Sequence, residues 1–259
     1  MTGFRLAIGQ VPADLPTPAA RLDWLRGILP GLAGVDLLVL PEMFACGYMI
    51  GDAVPDRAEP RDGPTAVAIA GLAAQAGVAI HYGYAERDGA TLFNSAQAFG
   101  LDGVRLTHQR KLLIPPGFEG AHFTPGQGCA LFTYRGLRIA TLICYDAEFP
   151  ETVRHVAGLG ADLVLVPTAL GAQWGWVSHT LIPARAYENG VFLAYANSAG
   201  VQGDMAFLGE SVVAGPDGIE AARAGAGPGV LLADLDPSRI AAARAKLPYL
   251  TDRAALRLG

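Results

Sequence analysis

The chemistry in this sequence starts at a thiol. Cys144 stands in the run Leu142-Ile143-Cys144-Tyr145-Asp146-Ala147-Glu148-Phe149-Pro150-Glu151. The apolar stretch Leu137 to Ile143 before it is rich in strand formers. Pro150 after it suits the first turn of a helix, where a missing N–H costs nothing. That helix is expected to run to Leu159 and stop at Gly160. Cys144 therefore sits where a buried strand ends and a helix is about to begin. In open α/β sheets ligands bind beyond the carboxyl ends of strands. A thiol there is exposed to substrate, and backbone N–H groups nearby can hold an anion. Taken alone, Cys144 would read as a small buried hydrophobe, as most free cysteines do. A base and an electrophilic partner would make it a nucleophile.

Candidates for both exist. Glu42 follows the apolar run Asp36-Leu37-Leu38-Val39-Leu40-Pro41, so it too lies just past a buried strand. A carboxylate near a thiol can serve as its general base. Lys111 opens a Gly/Pro-rich stretch that also contains Glu119, between Phe118 and Gly120. A lysine beside two carboxylates stays protonated and can hold an oxyanion. Each of these residues alone would be a solvated surface charge; their interest lies in the combination. The five histidines, His81, His108, His122, His155 and His179, show no metal-ligand spacing, so no metal site is expected. No glycine-rich phosphate motif is present, so no nucleotide cofactor is implied. Trp174 and Trp176 follow the strand that ends at Pro167, either as core residues or as the wall of a pocket.

The elements that must position these residues alternate between strand and helix. Strands are expected over 5–11, 36–40, 78–84, 91–99, 104–107, 137–143, 162–167 and 191–196, with a final pair at 210–218 and 230–235. Thr17-Pro18 caps and starts a first helix. A second runs from Pro64 to Ala76 and stops at Gly77, and a third covers 178–188. Leu112 to Gly128 holds three prolines and four glycines and reads as a long functional loop. Asp236-Pro237 opens a short helix, and 247–259 is a tail. The pattern predicts one α/β domain over 1–259 with mixed sheets and no internal repeat.

Composition narrows the function classes. The chain has 259 residues, of which 51% are hydrophobic, enough for a sizeable core. The formal charge of −5 and the lack of a basic cluster argue against a nucleic-acid partner. No apolar run approaches a membrane span. The N-terminus, Met-Thr-Gly-Phe-Arg-Leu-Ala-Ile, reads as a strand rather than a signal peptide. Three cysteines, an odd number without C-x-x-C spacing, argue for a reducing compartment. A cytoplasmic protein is expected.

Together these segments resemble the nitrilase superfamily of carbon–nitrogen hydrolases, over nearly the whole chain. The carrying motifs are Leu-Pro-Glu42-Met-Phe, Arg-Lys111-Leu-Leu-Ile-Pro, Phe118-Glu119 with Phe123-Thr-Pro-Gly126, and Leu-Ile-Cys144-Tyr-Asp-Ala-Glu-Phe-Pro-Glu. Pro183-Ala-Arg185-Ala-Tyr-Glu188-Asn189 and Gly209-Glu-Ser211-Val-Val-Ala-Gly-Pro216-Asp-Gly218 also match. The resemblance implies a four-layer α-β-β-α sandwich with two mixed sheets. It implies a catalytic triad of Glu42, Lys111 and Cys144, with Glu119 as a second glutamate that orients the substrate nitrogen. It implies paired subunits, a homodimer or larger homo-oligomer, with the 247–259 tail at an interface, and no cofactor or metal. Where many relatives carry Tyr before the second glutamate, this chain has Phe118, and Leu112-Leu113 stand where many have His.

Within the superfamily, Pro41 to Gly51 and Pro248 to Arg253 look most like aliphatic amidases acting on ω-amino amides, the 5-aminopentanamidase type. The implied reaction is amide hydrolysis through a thioester, with the N–H of Tyr145 and Lys111 holding the oxyanion. A small-molecule amide is then the expected partner. Nitrilase and N-carbamoyl amine hydrolase are the alternatives on the same triad. A non-catalytic binding module is the alternative of another class. The pocket is expected between Phe118, Trp174 and Tyr48. A buried ammonium on the substrate would need a carboxylate, a carbonyl or an aromatic face, and Trp174, Trp176 and Tyr48 are the faces available.

Overall fold

The structure, a computed structural model, describes residues 3–257. Residues 1 and 2, ahead of the expected first strand, and the last two residues of the expected tail lie outside the described residues. The first half of the chain supplies five strands of one six-stranded sheet. It contains β1 (Phe4–Gln10), β2 (Leu37–Val39), β3 (Ala79–Asp88), β4 (Thr91–Phe99) and β5 (Arg105–Arg110). The second half supplies β6 (Leu131–Tyr134), β7 (Leu137–Thr141), β8 (Leu163–Pro167) and β9 (Phe192–Ala196). A hairpin of β10 (Ala199–Gln202) and β11 (Met205–Leu208) follows, then β12 (Val212–Ala214), β13 (Ala222–Arg223) and β14 (Gly229–Leu235).

The sheet orders are β14-β1-β2-β3-β4-β5 and β6-β7-β8-β9-β12-β13, with β10-β11 standing apart. Read in that direction, both large sheets pair antiparallel, parallel, parallel, antiparallel, antiparallel. β2 and β8 are thus equivalent positions, as are β1 and β7. The same layout arises twice although no repeat is legible in the sequence. The expected final pair of strands is corrected: β12 and β14 lie in different sheets. β14 returns to the first sheet and pairs with β1, from Phe4↔Leu235 to Gln10↔Gly229. β6 and the β10–β11 hairpin were not anticipated.

The helices explain the layering. α1 (Pro18–Ile28) starts as expected, with Thr17 Oγ1 accepting from the Ala20 N–H at 3.1 Å. After the short α2 (Val54–Arg57), α3 (Pro64–Ala76) ends at Gly77 with φ +66°, a left-handed cap that glycine adopts without strain. Leu25, Ile69 and Ala73 from these helices pack on Ala7, Leu38, Ile80 and Tyr82, the outer face of the first sheet. The one-turn α4 (Phe118–His122) lies inside the segment expected to be an irregular loop. α5 (Pro150–Gly158) and α6 (Ile182–Asn189) cover the outer face of the second sheet through Val153, Val156, Ile182 and Ala186. α6 is preceded by a wide turn over Val177–Leu181. α7 (Ser238–Lys246) and α8 (Tyr249–Arg253) end the chain, so the expected tail carries one helical turn.

The inner faces meet each other. Leu6, Ile8, Leu37 and Val39 of the first sheet pack against Ile139, Leu163, Leu165 and Ala194 of the second. Alternate residues of β1 and β2 therefore face helices and the other sheet, and both faces are apolar. That is why these strands read as continuous apolar runs rather than alternating ones. The result is a four-layer α-β-β-α sandwich. Among the described residues, no helix is long and apolar enough to cross a membrane.

Candidate active site

The expected site residues come from segments that leave the carboxyl ends of strands. Glu42 lies three residues beyond the end of β2, Lys111 directly after β5, and Cys144 three residues beyond β7. Glu119 sits in α4, which folds back over them. Glycine makes the close approach possible. A Cβ at Gly83 on β3 would lie 2.6 Å from the Met43 nitrogen and 2.8 Å from the Glu42 Cα. A Cβ at Gly126 would lie 2.4 Å from the Arg110 Cβ. These two glycines let the Glu42 and Lys111 backbones pack against their neighbours.

The charged groups form one buried cluster. Lys111 Nζ donates to Glu42 Oε1 at 2.7 Å and to Glu119 Oε1 and Oε2 at 2.6 and 2.7 Å. Asn94, on β4, bridges the same carboxylates: its Nδ2 donates to Glu42 Oε1 at 2.7 Å and Glu119 Oε2 at 2.9 Å. The Tyr48 hydroxyl donates to Glu119 Oε1 at 2.8 Å. Phe118 lacks a hydroxyl, and Tyr48 supplies one to the glutamate beside it. Glu42 Oε2 is buried with no hydrogen-bond partner among the described residues. Its lone pairs remain for a proton brought from elsewhere.

Two carboxylates around one ammonium leave an excess of negative charge away from water. Burial raises the Glu42 pKa to about 7, against the opposing pull of Lys111. Burial disfavours the Lys111 charge, but Glu42, Cys144 and Glu119 outweigh it and hold the ammonium above the ordinary lysine range. Burial and the Glu42 charge push the Cys144 thiol well above its usual value. The resting sulfur is therefore a thiol.

Cys144 opens a tight turn over Cys144–Glu148 with φ +48°, a left-handed conformation unusual for a residue with a side chain. The turn is held from below by Asp146. Its carboxylate accepts the N–H groups of Leu112, Leu113 and Ile143 at 2.8–3.1 Å. One buried side chain thus ties the Cys144 turn to the segment that begins at Lys111. On the other side, Thr168 Oγ1 lies 3.0 Å from Cys144 Sγ and 3.0 Å from the Tyr195 hydroxyl. Cys144 is 8% exposed, less open than a strand-end thiol was expected to be. Its opening is onto a cavity of about 460 Å³ lined by Tyr48, Phe118, Glu119, Tyr145, Glu148 and Trp174, among others. Trp174 stands at the rim, 61% exposed, whereas Trp176 is 76% exposed and lies outside the cavity wall. Trp176 is thus neither a core residue nor a pocket wall.

The carbon–nitrogen hydrolase profile matches residues 5–245. The chain belongs to this family. A hydrolase of Pseudomonas protegens is 40% identical over 254 residues, covering 96% of this chain and 89% of that protein. An (R)-stereoselective amidase of a Pseudomonas species is 34% identical, covering 88% and 83%. Among solved structures, a double mutant of the amidase from Nesterenkonia sp. AN1, in complex with acrylamide, superposes with a TM-score of 0.89 at 33% identity, covering 98% of this chain and 95% of that one. Another structure of that amidase carries the acetamide moiety of fluoroacetamide on its active-site cysteine.

For this family member, sequence reasoning placed Glu42, Lys111, Glu119 and Cys144 but gave no part to Asn94, Asp146, Thr168, Tyr195 or Gly83. A faint signal existed. Asn94 interrupts the apolar strand Leu-Phe-Asn-Ser-Ala, and Thr168 follows Leu-Val-Leu-Val-Pro directly. A polar side chain at such a position must find a partner inside.

Proposed function

We propose that this protein hydrolyses a small aliphatic amide to a carboxylate and ammonia through a thioester on Cys144. Glu42 Oε2 takes the thiol proton as the sulfur attacks the amide carbon. The carbon–oxygen double bond opens to an oxyanion, received by Lys111 and by the N–H of Tyr145. Tyr145 is the second residue of the Cys144 turn, where N–H groups have no partner within the turn. Losing one such donor typically raises the barrier by about 3 kcal/mol. The oxyanion then collapses, the carbon–nitrogen bond breaks, and Glu42 passes its proton to the departing ammonia. Glu42 next removes a proton from water, which attacks the thioester and releases the acid and the thiol. Glu119, fixed by Lys111, Asn94 and Tyr48, holds the substrate nitrogen and keeps Glu42 and Lys111 aligned.

The observation that carries this reading is the unpartnered Glu42 oxygen in a lysine-clamped carboxylate pair, beside a cysteine that opens onto a cavity. Relatives named as amidases support it. The test is ammonia release across amides, nitriles and carbamoyl amines with the wild type and Cys144→Ala. Amides should be turned over and the variant should be inactive yet folded by circular dichroism. Retained turnover in Cys144→Ala would exclude the thioester, and preferential conversion of nitriles would replace the amidase reading. The protein is further proposed to act as a homo-oligomer in the cytoplasm. Exposed Leu247, Tyr249 and Leu256 near the chain end and the free Cys46, Cys129 and Cys144 support these two points.

A further inference from the structure

The cavity holds one charged group that the proposed chemistry does not use. Glu148 lies on the same turn as Cys144, four residues on, and lines the same wall. At about 2.0 Å rise per residue in such a turn, its backbone is on the order of 8 Å from that of the nucleophile. The backbone is anchored, since Arg185 Nη2 donates to the Glu148 carbonyl at 2.8 Å. The carboxylate has neither a hydrogen bond nor an ion pair among the described residues. The other two carboxylates of the site, Glu42 and Glu119, are both taken by Lys111. Among the described residues, no cationic side chain lines the cavity.

A half-buried carboxylate without a protein partner is satisfied only by water in the cavity, which leaves it available to a ligand. Burial raises the Glu148 pKa, and only Lys111 opposes this. A cation entering the cavity would supply the missing partner. An anion would meet a third carboxylate where one ammonium already serves two. The aromatic faces are less suited to that task. The Tyr48 hydroxyl is occupied by Glu119, Trp174 stands at the exposed rim, and Trp176 lies outside.

We infer that Glu148 reads the far end of the substrate, so that the pocket selects short amides whose chain ends in an ammonium and rejects those ending in a carboxylate. This rests on the amidase reading and adds the residue that sets substrate class. The role is one of specificity, since Glu148 is placed to meet the part of the substrate that does not react.

The test compares 5-aminopentanamide with hexanamide, which puts a methyl group where the ammonium was, and with adipamate, which puts a carboxylate there. In the wild type, kcat/KM should fall at least tenfold from the first to the second and further to the third. In Glu148→Gln the ratio between 5-aminopentanamide and hexanamide should fall tenfold or more, mainly through KM. Glu148→Arg should reverse the order between 5-aminopentanamide and adipamate. A ratio that changes less than twofold in Glu148→Gln would overturn the inference. Should the variants not fold, the wild type decides: pentylammonium must inhibit competitively at a concentration at least tenfold below pentanol, and equal inhibition would overturn the inference. If the wild type releases ammonia from hexanamide without any cation preference, only this inference fails. If it releases ammonia from no amide, the amidase reading itself has failed.

Discussion

Thr168→Val should separate the proton-handling of Cys144 from the rest of the site. Thr168 and Tyr195 are fully buried, and each hydroxyl carries one proton. Thr168 Oγ1 lies 3.0 Å from both the sulfur and the Tyr195 oxygen, and its single proton can serve only one of them at a time. Beside a neutral thiol it can serve either. Once Glu42 has removed the thiol proton the sulfur can only accept, so Thr168 donates to Cys144 and Tyr195 can donate to Thr168. The bond to the sulfur is then charge-assisted. Neutral hydrogen bonds contribute about 0.5–1.5 kcal/mol and those to charged groups about 1.5–3. The difference, about 1–2 kcal/mol, is available to the reaction only. At about 1.4 kcal/mol per tenfold, kcat/KM should fall roughly 5- to 30-fold in Thr168→Val.

The variant also strands the Tyr195 hydroxyl, at a cost of about 1–3 kcal/mol in stability. The double variant with Tyr195→Phe removes that orphan. It should recover the melting temperature without recovering the rate, because the sulfur still lacks its donor. Thr168→Ser should keep most of the rate. The assays are ammonia release, alkylation of Cys144 by iodoacetamide and thermal melts. A Thr168→Val enzyme within twofold of wild type in both kcat/KM and alkylation rate would refute the donor role. Recovery of rate together with stability in the double variant would show that Thr168 acts only through packing.

Two other perturbations address the opposite side of the sulfur. Gly83→Ala places a methyl group against the Met43 nitrogen and the Glu42 Cα, so it should destabilise by about 1–3 kcal/mol. It should also lower kcat more than tenfold by displacing Glu42, and a loss of stability without a loss of kcat would disconnect Gly83 from the base. The pH profile follows from burial of Glu42, which raises its pKa to about 7. Only the ionised form accepts the thiol proton, so kcat/KM should rise with pH and level off above about 7. Asp146, raised by burial to about 6, titrates below that limb. A profile flat from pH 5 to 8 would remove Glu42 from the role of base.

The sequence revealed what is encoded locally. Glu42 and Cys144 were visible because each ends an apolar run, and Gly77 and Pro150 mark helix boundaries by their own backbone preferences. Partnership across the fold was not visible. Asn94 meets a carboxylate 52 residues away in Glu42, and Thr168 meets a sulfur 24 residues away. Nothing beside either residue announces that partner. β12 and β14 read alike as short apolar segments, yet one joins each sheet, because pairing depends on which edge is free. Trp176 looked like a core or pocket residue by type, but the chain turns it to the surface at 76% exposure. Cys144 looked open because its strand ends there. Ala96 of β4 packs on it, and the cavity it opens onto is walled by Tyr48 and by Phe118 and Glu119 of α4, all from distant parts of the chain.

The two sheets also explain why the chemistry needs a sandwich rather than a single sheet. β2 and β8 hold equivalent places in the two strand orders. Glu42 lies three residues past the first, and Thr168 directly follows the second. One sheet thus brings the proposed proton acceptor to the site and the other brings the proposed hydrogen-bond donor to the sulfur. Cys144 itself leaves β7 but packs with Ala96 of β4, across the interface between the sheets. A small slip of one sheet on the other would separate the base from the thiol while leaving each sheet intact. The close packing of Leu37 and Val39 on Leu163 and Leu165 opposes that slip, because interdigitated side chains cannot slide without opening voids. The apolar core between the sheets is therefore part of the positioning of the proton transfer, and cavity-forming substitutions there should weaken catalysis before they unfold the chain.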